Sequence, residues 1–345
     1  MIHAVSLPYC HLRCSAGMAR DSDPWSRWLL ERRDAGDERQ RADTLERLSG
    51  VRERILTGAE PLLGKTLLDV GTGDGLIGLE ALERVGGSGT VVFSDISEVL
   101  LNHVRTTVGE RGLLSRAQFI TSSAENLDGV ADRSVDVVTT RSVLIYVANK
   151  AKAFAALARV LSPGGRISLF EPINRLVFPE PSCRFWGYDV AEVQALAAKV
   201  KSTFDRLEHM DATTMMDFDD RDLVRLAEGA GLERVHLECH IDIQPGSLLH
   251  AVSIDALLDG SPNPLAPTVR ESIAQALTAG EQERFIAHLT RAVATGSAIR
   301  RSAVAYLTAE KAEGRGRRPP SAPTPPRDPR PVQQKHGHPG PPKSR

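Results

Sequence analysis

The sequence predicts an α/β fold in which a mostly parallel sheet carries helices on both faces, and three observations predict it. The stretch Leu67-Leu68-Asp69-Val70-Gly71-Thr72-Gly73-Asp74-Gly75-Leu76-Ile77-Gly78 takes an apolar strand into a glycine-dense turn and directly on into a helical pattern. From Thr66 to Glu171, strand-length apolar runs alternate with helical periods, the order that builds a parallel sheet through crossover helices. The 345 residues, 41% hydrophobic and 25% charged, lie in the ordinary globular range and suffice for one large domain or two small ones.

Residues 1–20 are expected to be a flexible extension. Pro8, His11 and Arg13 interrupt any apolar core there and no basic start precedes it, so a secretory signal is not expected. Met18 could serve as a second start, which would make residues 1–17 dispensable. Cys10-His11-Leu12-Arg13-Cys14 lacks a second ligand pair, so no metal site is expected. Four scattered cysteines suit a reduced, cytoplasmic setting. No run approaches the roughly 18 apolar residues of a membrane helix.

The body, expected to be one domain over 21–313, begins with a helical cap over 21–63, where Trp28, Leu45, Leu48, Val51, Ile55 and Leu56 follow a helical period. Strands are then predicted over Thr66–Val70, Thr90–Ser94, Ala117–Thr121, Val135–Thr140 and Arg166–Glu171. Helices are predicted between them over Leu76–Val85, Glu98–Arg111 and Lys150–Val160. The rhythm breaks over 172–218, where Phe178-Pro179-Glu180-Pro181 and Phe185-Trp186-Gly187-Tyr188 precede a helical stretch from Val190 to about His209. An insertion of this length reads as a lid. Its aromatic side chains either pack the lid or wall a site for a flat ligand.

A helix over Asp220–Ala230, closed by Gly229 and Gly231, and a strand over Glu233–His240 resume the alternation. Helical patterns over Val269–Leu277 and Glu281–Ala294 then lead to a last strand at Ser302–Ala309, which can enter antiparallel beside the fifth. The tail 314–345 holds ten of the 21 prolines and no periodic apolar residue, so it is expected to be disordered. With eight Lys/Arg and one Asp it carries +7, leaving −8 for the rest. An acidic body argues against a nucleic-acid-binding core.

The glycine loop admits two registers. In Gly73-x-Gly75-x-x-Gly78, with Asp95 ending the second strand, it would hold the pyrophosphate of a dinucleotide. In Asp69-x-Gly71-x-Gly73-x-Gly75 the acid at the strand end suits a cationic ligand group or the loop's own N–H groups. Three further features favour the second register. Ser122-Ser123-Ala124-Glu125-Asn126-Leu127 is a polar turn with an acid placed to meet an adenine edge. Leu161-Ser162-Pro163-Gly164-Gly165-Arg166 leads by a tight turn into an apolar strand ending in Glu171, and the chain closes with strand, helical excursion and strand.

Together these motifs resemble a class I S-adenosylmethionine-dependent methyltransferase over roughly Leu62 to Ala309. The resemblance implies a Rossmann-like three-layer sandwich, with a seven-stranded, mostly parallel sheet whose last strand is antiparallel. It implies S-adenosyl-L-methionine as cofactor, with Asp69, Gly71, Thr72, Gly73, Asp74 and Gly75 around its methionine end. Asp95 is implied on the ribose hydroxyls, Ile96 on the adenine, Ala124 and Glu125 at the adenine amino group, and Arg141 with Ser142 and Val143 beside the methionyl part. A sulfonium already carries an activated methyl, so holding nucleophile, methyl and sulfur in line can supply up to roughly 7–11 kcal/mol, and a base is optional.

The expected activity is methyl transfer to an oxygen or nitrogen of a small molecule, with neither membrane nor nucleic acid as partner. The alternatives are an NAD(P)-dependent oxidoreductase using Gly73, Gly75 and Gly78, or a protein that binds the sulfonium without transferring methyl. Asp95 could instead cap the helix starting near Glu98, Glu125 could be a solvated turn acid, and Arg141 could pair with a surface acid. Candidate bases are Glu171, at the carboxyl end of its strand, Tyr146, where many family members carry histidine, and His209. His236, His240 and His250 are candidates by residue type alone.

Overall fold

The structure, a computed structural model, describes residues 23–34, 38–207, 213–246 and 253–313. The expected extension at 1–20, the tail at 314–345, His209 and His250 lie outside the described residues.

Asp23 opens the first element. Its Oδ1 accepts from the amides of Trp25 and Ser26, both at 2.9 Å, and Pro24 occupies the first turn of α1 (Pro24–Arg27), where a missing N–H costs nothing. The chain runs on into a π-helical turn, Trp28–Arg32, and then α2 (Glu38–Gly58). Next come β1 (Thr66–Val70), α3 (Gly78–Arg84), β2 (Thr90–Asp95), α4 (Glu98–Glu110), β3 (Ala117–Thr121), β4 (Val135–Arg141), α5 (Lys150–Val160) and β5 (Leu161–Pro172). After a hairpin of β6 (Arg184–Phe185) and β7 (Tyr188–Asp189) follow α6 (Gln194–Leu207), α7 (Thr213–Met216), α8 (Asp220–Gly229) and β8 (Leu232–Pro245). The last elements are α9 (Ile254–Asp259), α10 (Val269–Ala276), α11 (Ala279–Thr295) and β9 (Ile299–Lys311).

Seven strands form one sheet in the order β3-β2-β1-β4-β5-β9-β8. The first five run parallel, and β9 enters antiparallel between β5 and β8, with Leu169 opposite Leu307. The fold is thus the Rossmann-like sandwich with a reversed last strand that the motifs imply. The burial of β9 shows why it can close the sheet. Ala303, Ala305, Leu307 and Ala309 alternate and are at most 3% exposed, packing with Phe154 and Leu157 of α5 and Leu223 and Ala227 of α8. The opposite face is covered by α2, α3 and α4 through Ile55, Leu56, Leu82, Leu101 and Val104. Each such side chain contributes about 1.5–3 kcal/mol by leaving water.

Phe185, Tyr188, Val200 and Phe204, from the segment expected as a lid over 172–218, share a third apolar core with Leu257, Ile273, Phe285 and Leu289 of α9, α10 and α11. The insertion after β5 is too short to bury its own aromatic faces, so the helices preceding β9 complete it. Good caps delimit those helices: Thr268 with Glu271, and Thr278 with Glu281, form capping boxes, and Gly296 at φ +61° ends α11.

Gly78, which completes the dinucleotide register, stands where α3 crosses the sheet. A Cβ there would meet the Phe93 ring and approach Asp69 Oδ2 to 3.0 Å, and Phe93 is fully buried against Phe119 with ring centroids 5.2 Å apart. Gly78→Val is therefore expected to destabilise the fold by about 1–3 kcal/mol through overpacking, read as a lower urea midpoint. An unchanged midpoint would mean that α3 does not press on the sheet at this residue.

Candidate functional site

The chain leaves β1 at Val70 and turns through Gly71 (φ +64°), Gly73 (φ +57°) and Gly75 (φ +85°). All three positions are crowded as well. A Cβ on Gly71 would run into Val143, one on Gly75 would stand 2.8 Å from Leu79 Cδ1, and one on Gly73 would stand 3.1 Å from Leu29 Cδ1. Left-handed backbone and close approach together explain the glycines.

Asp69 does not face the space beside this loop. It is 2% exposed; its Oδ2 accepts from the Thr72 hydroxyl (2.8 Å) and the Gly78 amide (3.0 Å), and its Oδ1 from the Thr139 hydroxyl (2.9 Å). The carboxylate turns inward, where it ties the loop's two ends and β4 together. Burial pushes it up to about 6, against the pull of Thr72, Thr139, the Gly78 amide and Arg141. Thr72, Asp74 and Gly75 likewise lie outside the cavity wall. Asp74 is engaged by Arg33 at 3.1 Å.

That wall encloses a cavity of about 770 Å³ over the carboxyl ends of the parallel strands, within the usual size range of ligand pockets and at the edge where open α/β sheets bind them. Gly71, Gly73, Asp95, Ile96, Ala124, Glu125 and Arg141 all contribute to it. Asp95 is 6% exposed, with Oδ2 accepting from the Gly73 amide and Oδ1 from the Ser97 amide, both at 2.9 Å. Burial raises its pKa. Capping α4 is not its task, because Ser97 occupies that position and its Oγ accepts from the Leu100 amide. Ile96 is 52% exposed, an apolar side chain left open beside the carboxylate. Glu125 Oε1 accepts from the Asn149 amide at 2.7 Å, so it also holds the start of α5. Burial lowers the Arg141 pKa, with Asp74 and Asp69 opposing.

Glu171 stands behind the cavity wall. It is 0% exposed and absent from the cavity wall. It accepts the amides of Val143 and Leu144 on Oε1, both at 2.9 Å, and that of Ile145 on Oε2 at 3.1 Å. It lies at the carboxyl end of β5, as its position in the sequence suggests, but the loop after β4 folds back over it, with Ser142 at φ +54°. Burial pushes it up to about 7 despite those three amides and Lys150. His236 and His240 lie on β8 beside Glu238, away from the cavity. Tyr146 does line the cavity and meets Trp25 edge to face at 4.8 Å.

Residues 23–34 form a strap across the loop, which the helical periodicity did not reveal. Leu29 covers Gly73, Arg33 binds Asp74, the Ser97 hydroxyl donates to Asp23 Oδ2 (2.5 Å), and Trp28 Nε1 donates to the Ser261 carbonyl (2.9 Å). Trp25, Trp28 and Leu29 consequently enter the wall, as do Met215, Met216 and the turn Pro262-Asn263-Pro264. All three tryptophans of the chain, Trp25, Trp28 and Trp186, line this one cavity. Their scarcity was the available sequence signal. Of the aromatic residues in the insertion after β5, Phe178 and Trp186 face the cavity, whereas Phe185 and Tyr188 are core.

Among the described residues, no group of three or more His, Cys, Asp or Glu is placed to hold a metal ion, and no helix is long and apolar enough to cross a membrane.

Glu171 and Asp69 set a pH dependence. Their folded values of about 7 and about 6 exceed ordinary values of about 4.3 and 3.9, so the folded chain holds more protons than the unfolded one between those limits. Their contribution is complete below about pH 4 and is lost as pH rises through 6 and then 7, with a slope of up to about 1.4 kcal/mol per pH unit for each group. Urea unfolding of wild type and Glu171→Gln across pH 5–8 is expected to show a flatter curve for the variant. Parallel curves would mean that Glu171 does not titrate in this range.

A family model described as a methyltransferase domain matches residues 67–165. The chain is 30% identical over 193 residues to the ubiquinone/menaquinone biosynthesis C-methyltransferase UbiE of Azotobacter vinelandii, covering 54% of this chain and 70% of that one. It is 28% identical over 175 residues to the protein of the same name from Idiomarina loihiensis, covering 50% and 68%. Among solved structures, the YcgJ protein of Bacillus subtilis superposes with a TM-score of 0.46 at 18% identity, covering 75% of this chain and 97% of its own. The family match spans the glycine loop, Asp95 and the turn at Ala124-Glu125, and with the relatives' identity and coverage it shows that this chain belongs to the class I S-adenosylmethionine-dependent methyltransferases.

Proposed function

We propose that the chain transfers the methyl group of S-adenosylmethionine to an oxygen or nitrogen of a small, uncharged, largely apolar molecule. The observation that carries this is the division of the cavity. Its charged lining residues, Asp95, Glu125 and Arg141, all come from the β2, β3 and β4 ends, whereas the side formed by Pro172, Phe178, Trp186, Phe204, Met215 and Pro264 contributes no charge.

The first half fits the cofactor. Gly71 and Gly73 bring bare backbone to the cavity wall, and Asp95, although bonded to two amides, keeps lone pairs for two ribose hydroxyls. Ile96 and Ala124 offer apolar faces to an adenine, Glu125 an acceptor for its amino group, and Arg141 a cation for a carboxylate. When bound, the cofactor supplies a methyl already activated on a sulfonium. The protein's part is to orient both molecules and to exclude water beneath the strap and the lid, the positional contribution that such a transfer needs.

On the acceptor half, Tyr146 is the one lining side chain among the described residues that can exchange a proton. An acceptor that is nucleophilic as a neutral amine or as an ionised hydroxyl suits that poverty of bases. A second reading, methylation at carbon, is favoured by the relatives, which are named C-methyltransferases. Hydride transfer through Gly78 finds no support, since Gly78 packs against Phe93 instead of lining the cavity.

Because every tryptophan lines the cavity, titration with S-adenosylmethionine is expected to change the intrinsic emission. Asp95→Ala is expected to weaken binding by roughly 1–3 kcal/mol, the cost of losing a charged hydrogen-bond partner; binding of NADH in place of the sulfonium would refute the cofactor assignment. Reaction of S-adenosylmethionine bearing a CD3 group with phenolic and amine acceptors, followed by NMR of the product, is expected to place the label on oxygen or nitrogen. A ring-carbon CD3 would establish the second reading.

A further inference from the structure

The hairpin of β6 and β7 turns on two residues, Trp186 and Gly187, both with positive φ, +49° and +90°. A two-residue turn of this hand favours Asn-Gly or Gly-Gly, and a bulky aromatic residue in the left-handed region is an outlier. Such conformations persist where the surroundings over-determine them, and they gather at ligand sites. Here the surroundings are specific. Glu180 Oε2 accepts the Trp186 amide at 2.9 Å and Oε1 accepts the Gly187 amide at 2.8 Å. The Gly187 carbonyl in turn accepts from the Ile299 amide at 3.0 Å, anchoring the turn to the start of β9. The indole stands edge to face against Phe185 (5.8 Å) and Phe204 (5.5 Å), and it lines the cavity.

Its place in the sheet order matters. The cofactor half lies over β1, β2, β3 and β4, whereas Trp186 belongs to the insertion that follows β5, the next strand beyond β4. With Phe178, Phe204, Met215 and Met216 it forms a wall without a charged group. Thioethers adapt to a ligand's outline, but a tryptophan fixed by two amide bonds and two ring contacts presents a flat, rigid face. Resting on the methyl-transfer reading above, we propose that Trp186 determines acceptor specificity by stacking on a planar aromatic or conjugated ring of the acceptor, and that Glu180 is the positioning residue that holds Trp186 in its left-handed conformation.

Two probes share one carbon skeleton: 2-naphthol is planar, and decahydro-2-naphthol is not. Calorimetric titration of the full chain with S-adenosylhomocysteine bound is expected to show 2-naphthol binding more tightly than its saturated analogue by about three- to tenfold, the range of an aromatic pair beyond burial. Trp186→Asn, a residue the turn accepts, and Glu180→Ala are each expected to erase that preference while leaving S-adenosylmethionine affinity unchanged, and the double variant is expected to lose no more than either alone. Trp186→Phe is expected to restore part of the preference. Equal binding of the two probes to wild type, or an undiminished preference in Trp186→Asn, overturns the proposal, as does additive loss in the double variant for the role of Glu180. Loss of S-adenosylmethionine binding in both Trp186→Asn and Trp186→Phe also overturns it, because Trp186 would then be lid packing. Failure of wild type to bind S-adenosylmethionine at all refutes the methyl-transfer reading itself.

Discussion

The carboxylate of Asp69 is the constraint on which the rest of the site depends. A buried charge is tolerable only when hydrogen-bonded, and here three donors meet it: two hydroxyls and the amide that begins α3. Those bonds close the glycine loop into a fixed ring behind the cavity and join it to β4. With the loop so held, the Gly73 amide reaches Asp95, and the lining carboxylate inherits its position from the hidden one.

A second buried carboxylate repeats the device across β4. Glu171 collects three consecutive amides, Val143 to Ile145, and so bends the following loop until Tyr146 and Val147 line the cavity. Lys150 extends the same tie, its Nζ donating to the carbonyls of Val147 and Thr214 at 3.0 Å and pairing with Asp217 at 2.6 Å. The loop after β4 and the segment at 214–217 are thereby fixed to one another, which brings Met215 and Met216 to the wall. In both cases an acid of the kind usually sought as a catalytic group spends its lone pairs on backbone donors, and the space in front is left to other side chains.

The succession of strands and helices and the glycine loop were readable because each rests on local signals: apolar runs of strand length, helical periods, and glycines where φ must be positive. The reversed last strand came with the family resemblance. Asp95, Ile96, Ala124, Glu125 and Arg141 were readable as candidates for a related reason, since residues at the carboxyl ends of parallel strands share one edge whatever lies between them. The inward turn of Asp69 and Glu171 was not readable. Their positions at strand ends suited either direction, and only the donors that fold back upon them, from Thr72, Thr139 and the amides after β4, decide it.

By itself the sequence determined the α/β class, the order of its elements and the glycine loop that follows β1, because backbone sterics and hydrophobic periodicity act over a few residues at a time. Tertiary structure decided what encloses the site. The strap from Asp23 to Asp34, the apolar core shared between the insertion after β5 and α9 to α11, and the meeting of Trp25, Trp28 and Trp186 in one cavity join residues up to about 230 positions apart, as in the bond from Trp28 to Ser261. No local pattern encodes such meetings. They follow from which apolar faces remain uncovered once the sheet has formed, and from which buried donors then find an acceptor.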